Sequence, residues 1–238
     1  MYNYLKKFIN YLDNKKYEIL KLITVFSIFF SKIYAVKFIS LLFNLDISDD
    51  KTYYILALIV NIMVAIIFIL IYLKDFYKEI KIWFKNIFKN IGYGFFLWLI
   101  GFILMVIVNL IIIIVFKGHA ASNEVRVQEV IKLLPLVMLI EAGLLAPILE
   151  EILFRKTIYN VINNNIIRIF LAFLLFGGIH IINYVSKNNL IEILYIFPYG
   201  ILGALFMVAY IKTKSIITPI SMHMFHNTLS LIISFLIK

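Results

Sequence analysis

The sequence predicts an all-α fold, a polytopic transmembrane helix bundle of about seven to eight spans. Composition, run length and charge placement each point there. Of the 238 residues, 63% are hydrophobic and the mean hydropathy is +0.99, whereas soluble domains carry roughly 45–50% apolar residues. The apolar residues gather into runs close to the ~20 residues a helix needs to cross a bilayer. The net charge of +10 comes mostly from Lys beside those runs, where cytoplasmic flanks and anionic headgroups place it, so no nucleic-acid partner is expected. The length predicts one integral membrane domain without a separate soluble one. Cys is absent, which excludes thiol catalysis, disulfides and thiolate metal sites. The abundance of Ile, Asn, Lys, Tyr and Phe fits an AT-rich, bacterial coding sequence.

Residues 1–17 are polar, with Lys6, Lys7, Lys15 and Lys16. The first span is expected over 19–43, and its length and missing cleavage site read as a retained helix rather than a signal peptide. A loop with Asp46, Asp49 and Asp50 precedes a second span over 53–73. Residues 74–92 interleave Lys74, Lys78, Lys81, Lys85 and Lys89 with Phe76, Ile80, Trp83, Phe84 and Phe88. That spacing predicts a basic amphipathic helix on the cytoplasmic leaflet. A third span over 93–116 leads to a polar loop with His119, Glu124, Arg126 and Glu129, and a fourth helix is expected from 131 to 160. Spans over 166–185, 190–211 and 215–236 follow, with Lys187 and the Lys212/Lys214 pair at the turns. The Lys and Arg excess in alternate loops predicts a cytoplasmic N-terminus, in a bacterial plasma membrane. The chain thus divides into N-terminal spans plus the basic helix (1–130) and a later core (131–238).

The chemistry concentrates in that core. Ala146-Pro-Ile-Leu-Glu-Glu-Ile-Leu-Phe-Arg-Lys156 places two carboxylates and a guanidinium in an apolar run, where an ionisable group is costly unless it faces protein or a water-filled cavity. Glu151 and Arg155 are i,i+4 neighbours on a helix and can pair. Glu150 points about 100° away, toward a different neighbour. Pro147 lacks an N–H and is expected to kink the helix upstream. Glu141, nine residues before Glu150, falls on the opposite side of a regular helix, which predicts a structural role. Phe176-Gly-Gly-Ile-His180 sets an imidazole in the next span, and His223-Met-Phe-His-Asn227 sets His223 and Asn227 on one face, with His226 displaced. His223 and Asn227 suit either an oxyanion pocket or interhelical hydrogen bonds, and a His pair suits a metal. All five Asp lie before residue 76, and neither H-E-x-x-H nor G-x-S-x-G occurs. Aspartyl, zincin and serine chemistries are therefore disfavoured, leaving a water activated by Glu and His.

These segments resemble the CPBP (CAAX protease and bacteriocin-processing, or Abi) membrane proteins, which include the type II CAAX prenyl endopeptidases. The pattern is E-E-x-x-x-R, then F-x-x-x-H, then H-x-x-x-N or H-x-x-x-D. Here it reads Glu150-Glu151 to Arg155, Phe176 to His180, and His223 to Asn227, within about 131–235; Lys156 stands where many members have Gly. The resemblance implies an intramembrane endopeptidase. In it Glu150 and His180 activate a water, His223 and Asn227 stabilise the oxyanion, and Glu151 and Arg155 orient the site or a substrate carboxylate. It implies no cofactor, although Glu150, His180 and His223 as zinc ligands is a reading the residues permit. Absent an evident outer partner for each ligand, the metal-independent mechanism is preferred. The implied partners are membrane lipids and a hydrophobic or lipidated peptide, such as a pheromone or bacteriocin leader. The rival readings are a noncatalytic immunity or regulatory scaffold of the same fold, and a small transporter with a proton relay.

Overall fold

A computed structural model describes residues 2–186 and 189–236, with side chains from Tyr11 onward, so Lys187 falls outside the described residues. Helix α1 (Tyr2–Leu42) is followed by a short turn and α2 (Asp50–Ile71). Asp49 caps α2, its carboxylate accepting from Thr52 N at 2.9 Å and Thr52 Oγ1 at 2.8 Å. The Thr52 hydrogen bonds hold the Asp49 carboxyl below the usual range, as those from Ser48 do for Asp46.

The chain bends at Tyr72 into the basic amphipathic helix α3 (Leu73–Lys85), with Phe76 and Glu79 buried and Lys74, Lys78, Lys81 and Lys85 exposed. A second bend at Asn86 starts α4 (Ile87–Val115), six residues earlier than the expected span at 93. The Trp83 carbonyl left over at this joint accepts from Asn86 N and Asn90 Nδ2, both at 3.1 Å. The stretch around Glu124, expected as a loop, is instead helix α5 (Ser122–Leu133). Its start is capped from another element, as Glu192 Oε1 accepts from Ser122 N at 3.2 Å and from Ser122 Oγ at 2.5 Å. A long-range cap of this kind leaves no local sequence signature.

Leu134 precedes a proline and leaves the helical region, at φ −140° and ψ 69°. The expected helix over 131–160 is therefore divided into α5, α6 (Pro135–Ile140), α7 (Ala146–Glu151) and α8 (Thr157–Val161), with π turns at Glu141–Leu145 and Ile152–Lys156. Asn164 caps α9 (Asn165–Ile181) by accepting from Ile166 N and Ile167 N. A 3₁₀ segment (Leu190–Tyr195) leads into α10 (Ile196–Thr213), which ends at Lys214 in the left-handed region, and α11 (Ile217–Leu236) follows.

Among the described residues four segments are long and apolar enough to cross a membrane: Tyr11–Leu42, Asp50–Ile71, Ile87–Val115 and Leu190–Thr213. The expected seven to eight spans are not reached by length and composition. The helix carrying Glu150 is broken by π turns, α9 has 17 residues, and α11 dilutes its apolar run with His223, His226 and Asn227. The outward faces of α1, α2 and α4 expose Phe30, Leu41, Leu70, Phe88 and Ile114, as a protein dissolved in lipid does. This is an integral membrane protein.

The core packs Leu149, Ile152, Leu153 and Phe154 against Val25 of α1, Phe68 and Tyr72 from the second helix and the bend after it, and Phe176, Met207 and Tyr210 of α9 and α10. Helices α9 and α10 meet backbone to backbone at Gly177. A Cβ there would stand 2.6 Å from Ile196 O, which no side-chain rotation relieves. Gly177→Ala is expected to destabilise the protein by about 1–3 kcal/mol. Gly178→Ala, where a Cβ meets nothing within 4 Å, is the matched control in detergent thermal melts; equal melting points for the two would contradict the packing.

Candidate active site

The π turn at Glu141–Leu145 shifts the hydrogen-bond register, so that Ala146 N donates to Glu141 O, five residues back. One step further, Ala142 O would look to residue 147 for its donor, and Pro147 has no N–H. The side chain of Asn227 fills that place, with Nδ2 donating to Ala142 O at 2.8 Å. The proline thus marks a π turn rather than a simple kink, and the carbonyl it leaves open fastens α11 to the helix bearing Glu150. One N–H of Asn227 is committed to this tie, and its second remains for the cavity.

The extra residue of the π turn also corrects the placement of Glu141. On a regular helix, nine residues rotate about 180°, but one inserted residue reduces the effective turn to about 80°. Glu141 therefore lines the same cavity as Glu150, and Asn61 of α2 donates to its Oε1.

The two adjacent glutamates divide as their helical angles predict. Glu151 is fully buried, with Arg155 Nη1 at 3.1 Å and His223 Nδ1 at 2.8 Å from its Oε1. The Glu150 side chain remains 17% exposed in the cavity wall, with Oε2 3.9 Å from His223 Nε2. Arg155 is also fully buried, donating to Gly203 O at 3.3 Å and lying 4.3 Å from the Phe176 ring centre. It does not line the cavity, so the expected contact with a substrate carboxylate is not available to it. Its place is internal, tying α9 and α10 to the second π turn.

The three histidines are fixed as tautomers by their partners. His180 Nδ1 meets Phe176 O at 2.8 Å and the ring stacks on Tyr199 at 4.5 Å. A carbonyl only accepts, so Nδ1 carries the proton and Nε2 a lone pair. His223 Nδ1 likewise donates to Glu151, leaving the Nε2 lone pair toward Glu150. His226 is the reverse. The Trp98 indole, a donor only, meets its Nδ1 at 3.4 Å, so neutral His226 carries its proton on Nε2. All three line one cavity of about 270 Å³ with Glu124, Glu141, Glu150 and Asn227. His226 is the donor that helical spacing alone set aside. Among the described residues no three His, Asp or Glu side chains stand grouped closely enough to hold a metal ion.

A second polar network lies beneath the site. Buried Glu79 of α3 accepts from Lys156 Nζ at 2.5 Å and Tyr210 OH at 2.9 Å through Oε1, and from Ile216 N at 2.7 Å through Oε2. Lys156 also pairs with Asp75 at 3.3 Å. One carboxylate thus neutralises the lysine beside Arg155 and caps the start of α11, seven residues before His223. In the sequence its trace is a pair of acids four apart, Asp75 and Glu79, inside a basic stretch.

With this geometry in place, comparison with known proteins gives a consistent result. Residues 132–229 match the family model "Type II CAAX prenyl endopeptidase Rce1-like". The matched residues, in the later half of the chain, are similar to that family. A Bacillus subtilis (strain 168) protein named "Putative membrane peptidase YdiL" is 30% identical over 114 residues, which are 47% of this chain and 42% of that protein. The chain therefore spans less than half the length of this relative. No solved structure matches. The resemblance read from the three motifs is thus met by the Rce1-like match, which contains Glu141, Glu150, Glu151, Arg155, His180, His223, His226 and Asn227. Glu79, Trp98 and Glu124 lie before it.

Proposed function

We propose that the protein is an intramembrane endopeptidase that hydrolyses a peptide bond of a hydrophobic or lipid-anchored peptide. The observation that carries this reading is the unequal pair: a buried Glu151 whose Oε1 is held by Arg155 and His223, beside a Glu150 that faces a cavity lined by His180, His223 and Asn227. The Rce1-like match and the name of the Bacillus subtilis relative support the same reaction class.

In this mechanism Glu150 takes a proton from a water whose other hydrogen is oriented by the Nε2 lone pair of His180. The water oxygen attacks the carbonyl carbon. The free N–H of Asn227 and the Nε2–H of His226 stabilise the oxyanion, and His223 joins them when its Nε2 is protonated. Glu150 then returns the proton to the leaving nitrogen as the C–N bond breaks, giving a carboxylic acid and an amine. No step is routed through a metal. We place the protein in a bacterial plasma membrane with its N-terminus in the cytoplasm, as the Lys and Arg asymmetry and the composition suggest.

The test is cleavage of a panel of fluorogenic hydrophobic and prenylated peptides by the purified full chain in detergent, with and without chelator. Cleavage that persists with chelator is expected. Loss on chelation would overturn the metal-independent mechanism, and no cleavage across the panel would favour a noncatalytic scaffold.

A further inference from the structure

The cavity contains a carboxylate that the proposed hydrolysis does not use. Glu124 lies on α5, ahead of the Rce1-like segment, and lines both the 270 Å³ cavity and an adjoining one of about 240 Å³. The two share Glu124, Tyr199, His226 and Ser230. The side chain is half-buried, and among the described residues its carboxylate has no hydrogen bond and no ion pair. Burial without a compensating cation holds its carboxyl above the usual carboxylate range. The guanidinium of Arg126, two residues on, is paired with Glu129 at 3.2 Å and Asp50 at 3.5 Å.

The charge around it is one-sided. The larger cavity is lined by Glu124, Glu141 and Glu150, with no Lys or Arg among its described lining residues. Lys32 of α1 lies in the electrostatic field of Glu141 and Glu150. A chain with a net charge of +10 thus encloses an acidic cavity and leaves one of its carboxylates without a counter-charge. An unpaired, partly desolvated carboxylate gains most from a ligand that brings its own cation. A ligand carboxylate would find no cationic side chain in the lining.

We propose that Glu124 receives a positively charged group of the substrate, a lysine or arginine side chain close to the scissile bond, and so makes the site selective for cationic peptides. The inference rests on the endopeptidase reading and names its substrate class. Glu124 acts by recognition and takes no part in the proton transfers of Glu150.

The experiment uses paired peptides of one hydrophobic sequence, with lysine or its neutral isostere norleucine within three residues of the scissile bond. They are presented to the full chain in phosphatidylcholine nanodiscs. The wild type is expected to favour lysine in kcat/KM by on the order of 10-fold, as a charge-assisted hydrogen bond provides. Glu124→Gln is expected to bring that ratio close to one. A wild-type ratio near one, a ratio unchanged in Glu124→Gln, or an equal loss on both peptides would overturn the proposal. A second arm measures binding of the same fluorescent pair to Glu150→Gln and to Glu150→Gln/Glu124→Gln by anisotropy. A lysine preference present in the first and lost in the second supports cation recognition even where no peptide is cleaved, so the two readings fail separately. Equal affinities for both peptides in the first would count against recognition at Glu124.

Discussion

Glu150→Gln is expected to lower cleavage by about 10²–10⁴-fold, the usual contribution of a positioned general base, without loss of the folded protein. Glutamine keeps the volume and the hydrogen-bonding oxygen but cannot take a proton from water. The substitution alters a side chain that faces a cavity and is 17% exposed, so little packing energy is at stake. The contrast is with Glu151, whose oxygen is shared by Arg155 and His223. Initial rates on one peptide, together with size-exclusion profiles and melting curves in detergent, separate activity from folding. Cleavage within a few-fold of wild type would remove Glu150 from the role of base.

Arg155→Met is expected to act on the fold. Arg155 and Glu151 are both completely excluded from solvent, and removing one partner of such a pair costs about 3–5 kcal/mol because the other charge is left without compensation. Met fills much of the volume, so the loss reports on charge and on the bond to Gly203 O rather than on a void. The expected result is a large fall in monodisperse protein recovered from detergent. Arg155→Met/Glu151→Gln removes both charges and is expected to recover much of the stability. Activity stays low, since the amide that replaces the Glu151 carboxylate at His223 Nδ1 is a weaker, uncharged acceptor and holds the imidazole less firmly. If Arg155→Met alone extracts and melts like wild type, the buried pair is not the tie described above.

The helix period and the polar residues in apolar runs made much of the site legible in the sequence. Glu151 and Arg155 pair as i,i+4 spacing requires, Glu150 takes a different face, and His180, His223 and Asn227 line the cavity with it. The misplaced residue was Glu141, because one inserted residue in a π turn rotates everything upstream and leaves no mark in hydropathy. Pro147 was the available signal, since a residue without an N–H leaves a helix carbonyl open and so marks where the hydrogen-bond register breaks. Helix α5 was read as a loop because its cap comes from Glu192, 70 residues away in sequence. The internal placement of Arg155 was likewise invisible, since sequence shows a charge but not which neighbours enclose it.

The carboxylate of Glu79 makes the N-terminal helices and the later core chemically interdependent. Lys156 brings an ammonium into the interior, where its counter-charges, Glu79 and Asp75, arrive from α3. The first turn of α11 draws its acceptor from the same place. Residues 132–229, the stretch over which the family match runs, are thus not a transplantable cassette. A chimera joining them to other N-terminal helices would have to carry Glu79 with them, or give up the lysine and find α11 another cap.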